Sequence, residues 1–245
     1  MSEPIAVSAT AAPEKASFWE DLIDIFYQPS AVFARRRTAS AWPPFLFVVL
    51  ALSIITFATF STISPAIESD IRRAMTKAME QNPQMTQEMA DKAIEMQSTF
   101  GRYAAIVLFS LSVFIVGLFT WLLSKIFSAK EDFSAAMLIA SYAYMPRVLG
   151  AIAAGVMGLL MDPGQLTSAS VLSLSPARFF DAATTSPFKM ALLTRLDLTL
   201  IWETVLLAIG VAVIGRVPRG KAIAFGVLMW IVGGLYLLRN AYMMS

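Results

Sequence analysis

From Pro44 to Ser64 the chain passes through about 20 residues without one charged side chain, the length that a hydrocarbon layer of about 30 Å demands of a helix. Hydrocarbon offers no partners for backbone N–H and C=O groups, so a run of this kind must be an α-helix. Further apolar runs follow at about 103–124, 134–161, 194–214 and 222–238. Of 245 residues, 57% are hydrophobic and 15% charged, and the mean hydropathy is +0.66, which places the chain in the membrane class. The pattern predicts an all-α polytopic membrane bundle with five transmembrane helices, an N-terminal amphipathic helix and an extramembrane helical hairpin.

Residues 1–16 are small, polar and broken by Pro4 and Pro13. They read as a disordered tail and lack the basic start and apolar core of a signal peptide. An amphipathic cytosolic segment follows over 17–41. Ser17 and Glu20 have capping-box spacing, and Phe18, Trp19, Leu22, Ile23 and Phe26 recur on one helical face opposite Glu20, Asp21 and Asp24. That helix is expected to stop near Pro29. Arg35, Arg36 and Arg37 then lead into a five-span membrane domain over 42–242. Ser64–Pro65 and Asn82–Pro83 both resemble a cap followed by a first helical residue, so 65–100 reads as a hairpin of two separate polar helices. Its Met85, Met89 and Met96 read as packing filler.

With no Cys and no His, the chain can form no disulfide, no Cys or His metal site and no Ser-His or Cys-His catalytic pair. No phosphate loop or carboxylate-rich metal motif is present either. No enzyme, metal or cofactor is expected. The net charge of +2 and pI of about 8.9 come from interfacial Arg and Lys, not from a basic face, so nucleic acid is excluded as a partner. The lipid bilayer is the expected partner, and a homo-oligomer is compatible with the sequence.

Charges inside the spans are the informative ones. An ionised side chain near the bilayer centre costs about 2.5–3.5 kcal/mol on the insertion scale and normally faces a partner within the bundle. Asp197 and Glu203 fall in the fourth span, and Arg147, after Pro146, falls in the third. At about 1.5 Å per residue, Arg147 lies about 15 Å deep and Glu203 about 13 Å deep from the opposite side; Asp197 is only about 4–5 Å below the surface. The depths predict an Arg147–Glu203 bridge, with Asp197 lining the outer mouth. Such a bridge serves either as a fixed register between helices or as part of a proton or ion pathway with Tyr142 and Tyr144. The row Gly150, Ala154 and Gly158 marks close helix packing, and is expected to make the third span central.

The Lys and Arg residues outside the spans divide evenly between the two sides, but the dense clusters Arg35, Arg36, Arg37 and Arg216, Arg219, Lys221 adjoin span ends on one side. The positive-inside bias then places the N-terminus in the cytoplasm and the C-terminus opposite; for a prokaryotic chain the membrane would be the plasma or inner membrane.

The segments FWEDLIDIFYQPSAVF, SYAYMPRVLGAI and LDLTLIWETVLLAIGVAVIGRVPRGKA, set in this five-span layout, resemble the Yip family of Yip-one domain proteins over about residues 17–238. The Leu-Asp-Leu opening with Trp202, and the Gly, basic turn and Lys-Ala start of the last helix, carry most of the likeness. The resemblance implies no enzyme. It implies a scaffold or adaptor in membrane organisation or trafficking, because eukaryotic relatives are associated with Rab-type GTPases. Residues 17–34 are the expected contact surface for a cytosolic or membrane protein. The alternative is a small-solute or proton-coupled transporter or channel using Arg147, Glu203 and Asp197.

Overall fold

The computed structural model describes residues 17–82, 84 and 86–243, so the tail read over 1–16 lies outside it, as do Pro83 and Met85. Helix α1 (Phe18–Tyr27) starts from a reciprocal cap: the Ser17 hydroxyl accepts from the Glu20 N–H at 3.2 Å and the Glu20 carboxylate accepts from the Ser17 N–H. Pro29 does not simply end the segment. It opens a second short helix, α2 (Pro29–Arg35), because its fixed φ suits a first helical position.

Two very long helices follow, α3 (Trp42–Gln81) and α4 (Gln87–Ser124). The expected break at Ser64–Pro65 is absent: span and polar arm are one 40-residue helix with Pro65 inside it. Proline removes one backbone donor, and here the Ser64 hydroxyl reaches the Ser61 carbonyl that loses it, at 3.5 Å. Asn82 is likewise the end of α3, not a cap for the next helix; α4 is capped by Thr86, which accepts from the Met89 N–H. The hairpin arms therefore continue the first two spans. Met89 and Met96 are exposed on α4 and not packed on the bundle.

The exposed aromatic Trp42 begins α3, and Arg102 of α4 lies over the Phe60 ring at 5.0 Å. Trp42 to Phe60 is about 27 Å at 1.5 Å per residue, close to one hydrocarbon thickness. Arg102 and the exposed Tyr103 thus mark the second interface.

The third crossing is α5 (Phe133–Ala143) and α6 (Met145–Leu160), parted at Tyr144 just before Pro146. Every residue from Ala136 to Pro146 is buried, so α5 is the central element of the bundle. The small-residue row lies on α6, which is peripheral, with Leu149, Ile152, Val156 and Leu159 exposed along its other face. A Cβ on Gly150 would meet Thr199 and one on Gly158 would meet Thr62 and Ile63 of α3, while Ala154 packs near Leu166 and Leu172.

The fourth apolar run is broken. Helices α7 (Pro187–Thr194) and α8 (Leu198–Val213) are bent by 52° at 195–197. Helix α9 (Arg219–Met243) is the last crossing, with Ile223, Val227, Ile231 and Leu235 exposed at every fourth position as a lipid-facing stripe. Residues 162–186 form a loop with short 3₁₀ turns, including Pro176–Phe179. It is tied to the α3 arm: Arg73 donates to the Thr167 carbonyl at 2.6 Å and the Ala169 N–H donates to Asp70 at 2.8 Å.

Helices α1 and α2, the turn at 125–132 and the turn at 214–218 gather at one end of the bundle. Arg37 donates to the Val213 carbonyl at 2.7 Å, closing the C-terminus of α8, and the Lys130 N–H donates to the Gly215 carbonyl at 2.9 Å.

Candidate functional site

Pro146 at the start of α6 sets Arg147 in its first turn, facing the second turn of α8. The Arg147 Nε donates to the Glu203 carboxylate, and its guanidinium lies over the Tyr144 ring at 5.0 Å. The two partners are unequally covered: the Glu203 side chain is 4% accessible and that of Arg147 38%. The broken span also changes the depth of the pair. Glu203 lies about 8 Å below the start of a 16-residue helix that is itself only about 24 Å long, not midway down a straight span.

Asp197 does not join the pair. It is the N-cap of α8, accepting from the Thr199 N–H at 2.9 Å and the Thr199 hydroxyl at 2.5 Å, while its other oxygen accepts from the Leu174 N–H at 3.0 Å. The carboxylate expected to line the outer mouth of a continuous span is a helix start.

The same break draws a further arginine into the bundle. Arg195 is 8% exposed, donates to the Trp230 carbonyl and lies over the Trp230 ring at 5.0 Å; the Trp230 indole N–H returns a bond to the Arg195 carbonyl at 3.1 Å. Its Nε has no partner. Arg147, Arg195 and Asp197 all line one cavity of about 690 Å³.

A second polar cluster lies at the other end. Asp21, fully buried, is bonded by Arg35 at 2.6 Å, by Arg36, and by the Tyr142 hydroxyl at 3.2 Å. Arg35 also holds Asp24 at 2.5 Å. Burial works against charge on Arg35, but hydrogen bonds and attraction from Asp24 and Asp21 outweigh it and hold the guanidinium above its ordinary value. Two of the three arginines read as interfacial are thus turned onto the N-terminal helix. Arg216, Arg219 and Lys221 remain exposed. The signal for the cluster is visible in hindsight: three acids on one short helix, followed by three consecutive arginines after a proline, describe an acid helix folded back on a basic one.

With Asp21 turned inward, α1 presents Trp19, Ile23 and Tyr27 outward at every fourth position. Trp19 also packs edge-on against Phe47 of α3, so the stripe runs on towards the exposed Leu46 and Leu50.

Among the described residues no group of three Asp or Glu is placed to hold a metal. A family model described as the Yip1 domain matches residues 23–239. The chain belongs to the Yip1 domain family. No curated protein and no solved structure matches it. The Yip1 match takes in helices α2 to α8, most of α9, and Arg147, Arg195, Asp197 and Glu203, and begins within α1, two residues after Asp21. This Yip1 protein is therefore a multi-pass membrane protein.

Proposed function

We propose that the chain is a non-enzymatic scaffold or adaptor of the membrane, with its N-terminal helix pair as the surface that engages a cytosolic or membrane protein. The observation that carries the reading is the outward stripe Trp19, Ile23 and Tyr27, held in a fixed orientation by the buried Asp21 cluster. Exposed aromatics on a rigid mount lose little entropy on binding. Exposed Lys125, Lys130, Arg216, Arg219 and Lys221 share that end, which supports a cytoplasmic N-terminus and a C-terminus on the far side.

Deleting 1–34 would strip Asp21 from Arg35 and Arg36 and remove Phe33 from the core, so point substitutions are the cleaner test. Ile23→Ser with Tyr27→Ser, two exposed positions of the stripe, should leave the melting temperature unchanged and abolish the cross-linked partner that the wild-type chain captures in its native membrane. An unchanged set of cross-links overturns the reading.

A second reading, passage of a proton or small solute past Arg147, Glu203 and Asp197, is favoured by the cavity that Arg147 and Asp197 line. It requires a flux in reconstituted vesicles that Glu203→Gln removes.

A further inference from the structure

The cavity between α3, α4, α6, α8, the 162–186 loop and α9 brings together charged side chains that are not all paired with one another. Arg147 and Arg195 line it, with Asp197 as the one acidic side chain on its wall. Glu203, which balances Arg147, lies behind that residue and does not reach the cavity. Asp197 has committed both oxygens to Thr199 and Leu174. Among the described residues Arg195 has no carboxylate within ion-pair distance, and its Nε is bonded to nothing. Arg147 engages Glu203 through Nε while over a third of its side-chain surface stays accessible. Glu203 is thus taken up by Arg147 and Asp197 by Thr199 and Leu174, which leaves Arg195 without an ion-pair partner in an apolar setting, where a matching anion is favoured.

Most of the rest of the wall is apolar, with Leu52, Leu108, Leu172 and Leu237 among its residues and the hydroxyls of Ser112, Ser173 and Thr194 between them. Its size falls within the range of small-molecule sites, about 300–1,000 Å³. We infer that the cavity binds an anionic amphiphile, with a phosphate or carboxylate head against Arg147 and Arg195 and an apolar tail along the leucine wall. Arginine suits such a head because its planar fork presents paired donors to two oxygens. The inference does not depend on the N-terminal pair engaging a partner, and occupancy needs no flux.

The test uses the full-length protein in a neutral detergent, read by native mass spectrometry and by thermal unfolding. The probes are dioleoylphosphatidylglycerol, dioleoylphosphatidylcholine with the same tails, and inorganic phosphate. Arg147→Ala would leave Glu203 buried without a partner, so the variants are Arg195→Gln, which removes the other cation, and Ser112→Phe, which fills the cavity and changes no charge. Ser112 bonds the Phe109 carbonyl of its own helix at 2.9 Å and the Tyr144 side chain, and neither partner is charged.

Phosphatidylglycerol should bind about tenfold or more tightly than phosphatidylcholine, as expected when one charge-assisted contact separates them. Arg195→Gln should erase the preference, and Ser112→Phe should weaken phosphatidylglycerol binding by a similar factor. Equal binding of the two lipids, or a preference that survives both variants, overturns the assignment. Arg195-dependent stabilisation by inorganic phosphate as large as that by the lipid would make the ligand a free anion and overturn the amphiphile.

Discussion

The Tyr142 hydroxyl donates to the Asp21 carboxylate at 3.2 Å across 121 positions of sequence, and so fastens the N-terminal helix to the most buried helix of the bundle. Asp21 thereby joins α1, α2 and α5 at one point. Asp21→Ala should destabilise the protein by about 2–4 kcal/mol, because it takes from Arg35 and Arg36 the fully buried carboxylate they share, although Arg35 keeps Asp24. Tyr142→Phe removes only one bond to a charged group and should cost about 1.5–3 kcal/mol. Thermal unfolding gives the ranking, and protease cleavage between α2 and α3 should accelerate in Asp21→Ala.

The Arg147–Glu203 pair should show strong coupling. Removing one partner of a buried pair costs about 3–5 kcal/mol, whereas replacing both by apolar residues of similar volume is often neutral. Arg147→Ala should therefore be worse than Glu203→Gln, whose amide oxygen still accepts from the guanidinium. Arg147→Met with Glu203→Met should lie within about 1–2 kcal/mol of wild type. A double variant as unstable as the sum of its singles would contradict the pairing.

Two glycines should respond in opposite directions. A Cβ on Gly215 would lie 2.4 Å from the Glu131 carboxylate and 2.6 Å from the Val211 carbonyl, so Gly215→Ala should cost about 1–3 kcal/mol. Gly220, in the first turn of α9, has open space around it, and Gly220→Ala should gain about 0.4–1 kcal/mol. Melting temperatures of the two variants should move apart.

Pro65 should be dispensable. Pro65→Ala restores the missing donor to the Ser61 carbonyl and should raise stability without altering the fold, since an interior proline costs up to about 3 kcal/mol. Ser64→Ala should lower stability in the wild-type chain and have almost no effect in the Pro65→Ala background. A double cycle of melting temperatures decides it.

The five apolar crossings are legible in the sequence because hydrocarbon thickness imposes both length and composition on each. Breaks and continuations are not encoded so simply. Pro65 reads as a helix start until a neighbouring hydroxyl is seen taking over the lost bond. Asp197 reads as a lining residue just inside the fourth span because the apolar run around it looks unbroken, although an Asp two residues before a Thr at the head of a run is also a cap signal. The row Gly150, Ala154 and Gly158 marks close contact, but not whether the helix carrying it faces the centre or α3. Arg195 and Asp21 could be counted as surface charges from sequence alone. Their burial follows from a bend between α7 and α8 and from a hairpin between α1 and α2, both set by tertiary contacts.

The continuity of α3 has a mechanical consequence. Of its 40 residues, about half lie in the hydrocarbon layer, leaving about 30 Å of unbroken helix beyond it. Such a rod acts as a lever whose fulcrum is the interface near Phe60. A swing of about 5° within the bilayer carries its far end sideways by about 3 Å. Asp70 and Arg73 couple that stroke to the 167–169 strap, and Leu172 and Leu174 beyond it roof the cavity that holds Arg195.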